Sequence, residues 1–173
     1  MENVYTPMLD VKSFHEKYNF AVGLDLTGMK CRHPIITMLL TNMAKQLQCM
    51  SKYLEDLFDS RKDINEDDRS IRAHLMLEEL AEALQALAEN DEVGLCDGLG
   101  DLLYVVYGCG ITFDLPLQSV FREIQRSNMT KAARNNNDTR LRDKGDQFQP
   151  PRIKDVLEAY RKTQVREDTD DAK

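Results

Sequence analysis

Apolar residues recur at helical spacing along most of the chain, and few segments alternate in the way that strands require. Residues 34–58 carry apolar side chains three and four positions apart, which predicts a long amphipathic helix that begins at Pro34. Val105, Val106 and Ile111 are β-branched, so a short strand is an alternative near the end of a later helix. The pattern predicts an all-α fold whose other helices cover about 11–18, 68–89, 92–113, 116–131 and 152–162.

Acidic residues interrupt the apolar faces of two successive predicted helices. Glu78, Glu79 and Glu82 share one side of the first helix, and Asp97 and Asp101 share one side of the second. Carboxylates are rarely buried among leucines without compensation. Two like charges about 4 Å apart repel by roughly 4 kcal/mol at an effective dielectric near 20. A pocket that gathers these carboxylates therefore requires a cation, and oxygen ligands favour Mg²⁺ or Mn²⁺.

Length, charge and cysteine usage limit the class of protein. The 173 residues suit one domain, which we predict over 1–165, followed by an acidic flexible tail over 166–173. The net charge of -7 argues against a nucleic-acid polymer or an anionic membrane surface as a partner. No apolar run approaches the roughly 20 residues of a membrane span, and we expect no signal peptide. The four cysteines form no CxxC pair, so we expect a reduced, cytoplasmic setting.

Two motifs resemble a known family. LEELAEAL contains the three glutamates, and DGLGDLLYVVYG contains the two aspartates. Together they resemble the EExxE and ExxD signature of the all-α nucleoside triphosphate pyrophosphohydrolases, which are MazG-like proteins, dimeric dUTPases and phosphoribosyl-ATP pyrophosphohydrolases. SNMTK and DKGDQFQPPRIKDVL are similar to later segments of the same family. The resemblance covers about half of the chain.

The resemblance implies a fold, a reaction and roles for individual residues. The fold is a four-helix core bundle of the MazG-like type, completed by oligomerisation as a homodimer or homotetramer. The reaction cuts a nucleoside triphosphate between its α and β phosphates, giving the monophosphate and pyrophosphate. Carried over to this chain, Glu79, Glu82 and Asp101 hold Mg²⁺ or Mn²⁺, and Glu78 orients or deprotonates the attacking water.

One position departs from the family pattern. Gly98 stands where the signature has the glutamate of ExxD, so the motif becomes DxxxD. Asp97 lies four residues before Asp101 and shares its face, so we predict that Asp97 replaces the missing ligand. The alternative that Gly98 leaves open is a catalytically degenerate, nucleotide-binding regulatory module.

Five further residues are candidates for contacts with the substrate. The resemblance implies that Asn128 and Lys131 contact phosphates; alternatively, they cap a helix and favour its negative end. Lys144 supplies positive charge of the kind that polyphosphates need. Related proteins read the base from the long early helix, where Asn42 and Lys45 lie, although an exposed polar stripe explains these two equally well.

The segments TFDLPL and SNMTK resemble a bacterial or phage branch of this family that is near the phosphoribosyl-ATP pyrophosphohydrolases. Among substrates of that family we favour a purine nucleotide, dGTP or GTP. The alternatives are dUTP and phosphoribosyl-ATP.

Overall fold

The computed structural model describes residues 6–18, 20–27, 34–60, 67–132 and 144–170. These residues form α helices and no β strand, which confirms the all-α fold. None of the helices in these ranges is both long enough and apolar enough to cross a membrane. The helices are α1 (Pro7–Lys17), α2 (Pro34–Ser60), α3 (Asp68–Glu89), α4 (Glu92–Thr112), α5 (Leu117–Asn128) and α6 (Ile153–Asp170).

Local capping fixes the ends of α3 and the start of α4. The side chain of Asp67 accepts the backbone N–H of Arg69 at 3.0 Å, which satisfies a free donor of the first turn of α3. Asn90 ends α3 in the left-handed conformation with φ 57°. Asp91 then caps α4 by accepting two backbone N–H groups at 3.1 Å. These short-range signals explain why the predicted bounds of 68–89 agree with the structure.

One predicted alternative and several predicted boundaries differ from the observed structure. The first helix begins at Pro7, four residues before its predicted start. The fourth helix remains helical through Thr112, so the strand alternative is wrong. The fifth helix ends at Asn128, three residues before its predicted end. The last helix continues to Asp170, because its sequence contains no glycine or proline that would break it. Residues 166–170 of the predicted tail are thus helical, and 171–173 lie outside the described residues.

The chain divides into two compact units. We call residues Asp25–Asp114 the central unit, and Met1–Leu24 together with Leu115–Lys173 the terminal unit. This division does not test the predicted single domain over 1–165, which stays a prediction. Cys49, Cys96 and Cys109 in the central unit carry free thiols, and Cys31 lies outside the described residues.

In the central unit, α3 packs against both α2 and α4. The buried residues on these helices are small, which allows the helix backbones to approach closely. The larger apolar residues of α2 and α4 are mostly exposed. Among the described residues of this unit, the buried apolar side chains are Ala44, Ala81, Ala83, Ala86, Ala88 and Val105.

In the terminal unit, α1 packs against α5 and supplies the groups that end it. Tyr18 is 3% exposed; its hydroxyl donates to the carbonyl of Lys131, and its oxygen lies 3.3 Å from the carbonyl oxygens of Asn128 and Met129. These carbonyls lie at the last residue of α5 and just after it, where backbone oxygens need partners outside the helix. Tyr18 therefore stabilises the early end of α5, a contact that sequence spacing did not reveal.

Glu123 connects α5 to the start of α6. Its carboxylate accepts two bonds from the guanidinium of Arg126 at 2.7 and 2.8 Å, and one from the backbone N–H of Arg152 at 2.8 Å. The Arg126 hydrogen bonds, followed by the Arg152 N–H, lower the pKa of Glu123 to about 2. This pair fixes where the last helix begins relative to α5.

Candidate functional site

The closest approach of α3 and α4 occurs at Gly98. A Cβ atom on Gly98 would lie 2.9 Å from the backbone N of Ala83 and 3.2 Å from its Cα. Both residues are buried. No side chain fits there unless the helices separate, so the glutamate of the family motif is sterically excluded at position 98. This contact gives a physical reason for the departure of the sequence from ExxD.

A second contact fixes the register of the two helices. A Cβ atom on Gly108 would lie 3.1 Å from Nη1 of Arg72. Together with the contact of Ala83 and Gly98, this contact shows that α3 and α4 are antiparallel, because residue numbers rise along α3 as they fall along α4. Glu79 of α3 is therefore level with Asp101 of α4, between the two contacts.

The predicted carboxylates gather around Glu79. Glu79 is half-buried, and the other four are exposed. Burial raises the pKa of Glu79 above its ordinary value of 4.5, and the negative charges of Glu82, Asp101, Glu78 and Asp97 raise it further. The structure therefore brings all five acidic side chains, from two helices, close enough to interact electrostatically.

The chemistry of this cluster fits a hard divalent ion. All five donors are carboxylate oxygens, the ligands that Mg²⁺ and Mn²⁺ prefer. Within the described ranges, however, no three His, Cys, Asp or Glu side chains stand close enough together to hold a metal as they are. The ligand roles of Glu79, Glu82, Asp97 and Asp101 stay predictions.

A histidine links the cluster to α2. Nδ1 of His74 lies 2.8 Å from Oγ and 3.2 Å from the carbonyl oxygen of Ser51, and Nε2 lies 3.8 Å from Oε2 of Glu78. The ring of Phe58 meets the imidazole edge-on, with centroids 5.7 Å apart. Sequence spacing places His74 one turn before Glu78, but Ser51 comes from another helix and was not identified. The imidazole is thus oriented on one side and faces a carboxylate on the other.

The predicted substrate-binding residues lie in both units. Asn42 and Lys45 are exposed on α2 of the central unit. Asn128 is the last residue of α5, Lys131 is half-buried just after it, and Lys144 is exposed; these three belong to the terminal unit. Their contacts with a nucleotide stay predictions.

Comparison with known proteins finds a family match over part of the chain. Residues 52–128, slightly less than half of the chain, match the family model of phosphoribosyl-ATP pyrophosphohydrolase. An uncharacterized protein of Acanthamoeba polyphaga mimivirus is 35% identical over 75 residues, which are 42% of this chain and 30% of the viral protein. The chain thus spans less than a third of the length of this curated relative. No solved structure matches the chain significantly. The segment 52–128, which includes both acidic motifs, therefore matches a family of the all-α nucleoside triphosphate pyrophosphohydrolase superfamily, as those motifs predicted.

Proposed function

We propose that the chain is a metal-dependent nucleoside triphosphate pyrophosphohydrolase and that the carboxylate cluster of α3 and α4 is its active site. The family match supports nucleotide pyrophosphohydrolase activity in general. The observation that carries the finer proposal is Glu79, whose pKa is raised by burial and by four other carboxylates. Clustered like charges around a half-buried acid are costly for folding alone, and such arrangements concentrate at functional sites.

The cluster supplies the ligands for Mg²⁺ or Mn²⁺. Glu79 and Glu82 of α3, with Asp97 and Asp101 of α4, would hold the ion. When bound, the metal neutralises charge on the polyphosphate and lowers the pKa of coordinated water. Because Gly98 lies against Ala83, its neighbour Asp97 is the residue that brings a second α4 carboxylate to the cluster.

Glu78 is the proposed general base. Its side chain is 48% exposed, so water reaches it, and His74 lies on its other side. In the proposed reaction, a water oxygen bonds to the α phosphorus while Glu78 takes the water proton. The bond from that phosphorus to the α–β bridging oxygen breaks, and its electron pair leaves with pyrophosphate. Positioned proton transfer of this kind typically contributes about 10²–10⁴ in rate.

The proposed substrate is a purine nucleotide, dGTP or GTP, with dUTP and phosphoribosyl-ATP as alternatives. Asn42 and Lys45 on α2 are proposed contacts to the nucleotide. Asn128, Lys131 and Lys144 are proposed contacts to its phosphates.

Exposed apolar residues on α4 support the proposed self-association. Tyr104 and Ile111 are 80% and 82% exposed, and Tyr107, between them on the same helix face, is 50% exposed. An exposed apolar stripe of this size marks an interaction surface more often than a free one. We therefore propose a homodimer or homotetramer in which this face is covered by a second copy.

A turnover screen tests the proposal. The purified chain would be incubated with Mg²⁺ or Mn²⁺ and each common NTP and dNTP, as well as phosphoribosyl-ATP, and the products would be separated by ion-exchange chromatography. We expect monophosphate and pyrophosphate from one or two substrates. Glu79→Gln and Asp101→Asn should each abolish turnover without changing the helical circular dichroism signal.

The matched control is Glu92→Gln, which removes an exposed carboxylate from the first turn of α4 and should retain activity. Full activity in Glu79→Gln or Asp101→Asn would remove the assignment of the site. Diphosphate and phosphate as products would show that the wrong bond is cut. Thermal stabilisation by metal without any turnover would support the regulatory module instead.

A further inference from the structure

Arg72 is a half-buried cation in the central unit that no predicted role includes. Its Nε is buried and has no hydrogen-bond partner among the described residues, and no described carboxylate forms an ion pair with it. A buried side-chain N–H is rarely left without a hydrogen-bond partner. Removing a guanidinium N–H from water without a new bond is unfavourable, so this position indicates a missing anion.

The place of Arg72 on the helix identifies that anion. Arg72 precedes Glu79 by seven residues, which turns the helix to within about 20° of the same direction. The two therefore lie on the face of α3 that packs against α4, about 10 Å apart along the helix axis. The separation is comparable with the length of an extended triphosphate.

The surface of α4 leaves room for this arginine. Gly108 lies opposite Arg72, and a Cβ atom there would come within 3.1 Å of Nη1. Asp101 lies seven residues before Gly108 and is level with Glu79. Between these two levels Leu75 and Val105 are apolar, so no acid on this path competes for the guanidinium. The α3–α4 surface thus carries the carboxylates of Glu79 and Asp101 at one position along the helices and the guanidinium of Arg72 two turns away.

We propose that Arg72 binds the terminal phosphates of the substrate, which become the pyrophosphate product. This inference rests on the proposed function, since it uses the carboxylate cluster as the place of the α phosphate. A guanidinium holds phosphate oxygens through two parallel N–H bonds, which a lysine does not reproduce. Arg72 would thereby set the direction in which the polyphosphate lies on the surface, and it would favour substrates with a β and γ phosphate.

Binding of inorganic pyrophosphate tests the proposal without requiring turnover. Isothermal titration calorimetry of the full chain with pyrophosphate and Mg²⁺ would compare wild type, Arg72→Gln, Arg72→Lys and Arg69→Gln. Loss of one charge-assisted contact corresponds to about 10- to 100-fold in Kd, which is the weakening that we expect for Arg72→Gln. Arg72→Lys should fall between the two. Arg69→Gln is the matched control, because Arg69 lies one turn earlier and is paired with Asp67 at 2.6 Å.

Two further measurements separate binding from a structural role. Gly108→Val leaves Arg72 in place but fills the space beside its guanidinium, so it should also weaken pyrophosphate binding. Thermal unfolding should show Arg72→Gln to be at least as stable as wild type, because an unpaired guanidinium is replaced by a neutral group. If Arg72→Gln is instead less stable but binds pyrophosphate as wild type does, the arginine is structural and the inference fails.

The outcomes also distinguish this inference from the proposed function. If wild type hydrolyses no nucleotide but Arg72→Gln loses pyrophosphate binding, the phosphate site at Arg72 would be supported and the proposed hydrolase activity would be overturned. Turnover in wild type with unchanged pyrophosphate affinity in Arg72→Gln would retain the hydrolase and overturn the role of Arg72. Dissociation of an oligomer in Arg72→Gln, at unchanged affinity, would show that a second copy supplies the anion. A wild-type chain that binds no pyrophosphate would contradict the inference directly.

Discussion

The contact between Gly98 and Ala83 predicts opposite effects for two glycine substitutions on one helix. Gly98 and Gly100 both lie inside α4, where glycine is less favourable than alanine by about 0.8–1 kcal/mol. Gly100 has nothing within 4 Å of a Cβ position, whereas a Cβ on Gly98 would lie 2.9 Å from the Ala83 backbone N. Gly100→Ala should therefore stabilise the chain by about 1 kcal/mol. Gly98→Ala should gain the same amount and lose about 1–3 kcal/mol to overpacking.

The two variants should thus differ in stability by about 1–3 kcal/mol, since the helix propensity gain is common to both. For a chain of this size, 1 kcal/mol corresponds to a Tm shift of about 2–4 °C, so the expected separation is about 2–12 °C. Thermal unfolding followed by circular dichroism would measure it, with Gly100→Ala as the matched control. If Gly98→Ala melted at or above the temperature of Gly100→Ala, α3 and α4 would not approach as described.

The same contact governs activity. Gly98→Glu would restore the ExxD motif of the family, but it would place a longer side chain against the backbone of α3. Separation of the helices would move Asp101 away from Glu79, so we expect turnover to fall rather than rise. An increase in turnover would show that position 98 faces the substrate and not Ala83.

Three other predictions follow from the central unit. The pKa of Glu79 is raised in the folded chain above its ordinary 4.5, so the stability that this carboxyl contributes is present below pH 4.5 and is lost as pH rises through the folded pKa. Glu79→Gln should therefore have a higher Tm than wild type at neutral pH with EDTA, and this Tm difference should close near pH 4. Mg²⁺ should raise the Tm of wild type more than that of the variant. An equal gap at both pH values would contradict this assignment. His74→Ala should cost about 1–3 kcal/mol in urea unfolding because it leaves the buried Ser51 hydroxyl without its imidazole partner, and a neutral effect would show that the contact at 2.8 Å is unimportant. Ile111→Glu should reduce the mass measured by light scattering, whereas Met8→Glu, which is equally exposed but lies on α1, should leave it unchanged; the reverse result would move the interface away from α4.

The sequence was most informative where structure depends on near neighbours in the chain. The bounds of α3 follow from Asp67, Asn90 and Asp91, whose capping bonds reach only two or three residues. The acidic motifs were equally visible, because helical periodicity alone assigns Glu78, Glu79 and Glu82 to neighbouring directions. Periodicity failed at the ends of α5 and α6. There, Tyr18, the residue after α1, supplies a hydrogen-bond partner to the end of α5, and an unbroken sequence lets α6 continue.

The tertiary structure decided which residues meet across helices. The sequence shows that Gly98 stands where the family motif has a ligand. The reason for the glycine is that a Cβ atom there would lie 2.9 Å from the backbone N of Ala83, and this contact depends on the packing of α3 and α4. Ser51 and His74 are 23 residues apart, and Arg72 and Gly108 are separated by a whole helix hairpin. The sequence by itself determined the helices, their caps and the acidic character of one face, since these are set by interactions within a few residues. The register between helices is set by packing and burial over many residues at once. For that reason only the folded chain showed that Arg72 is unpaired and lies on the same α3–α4 surface as the carboxylates.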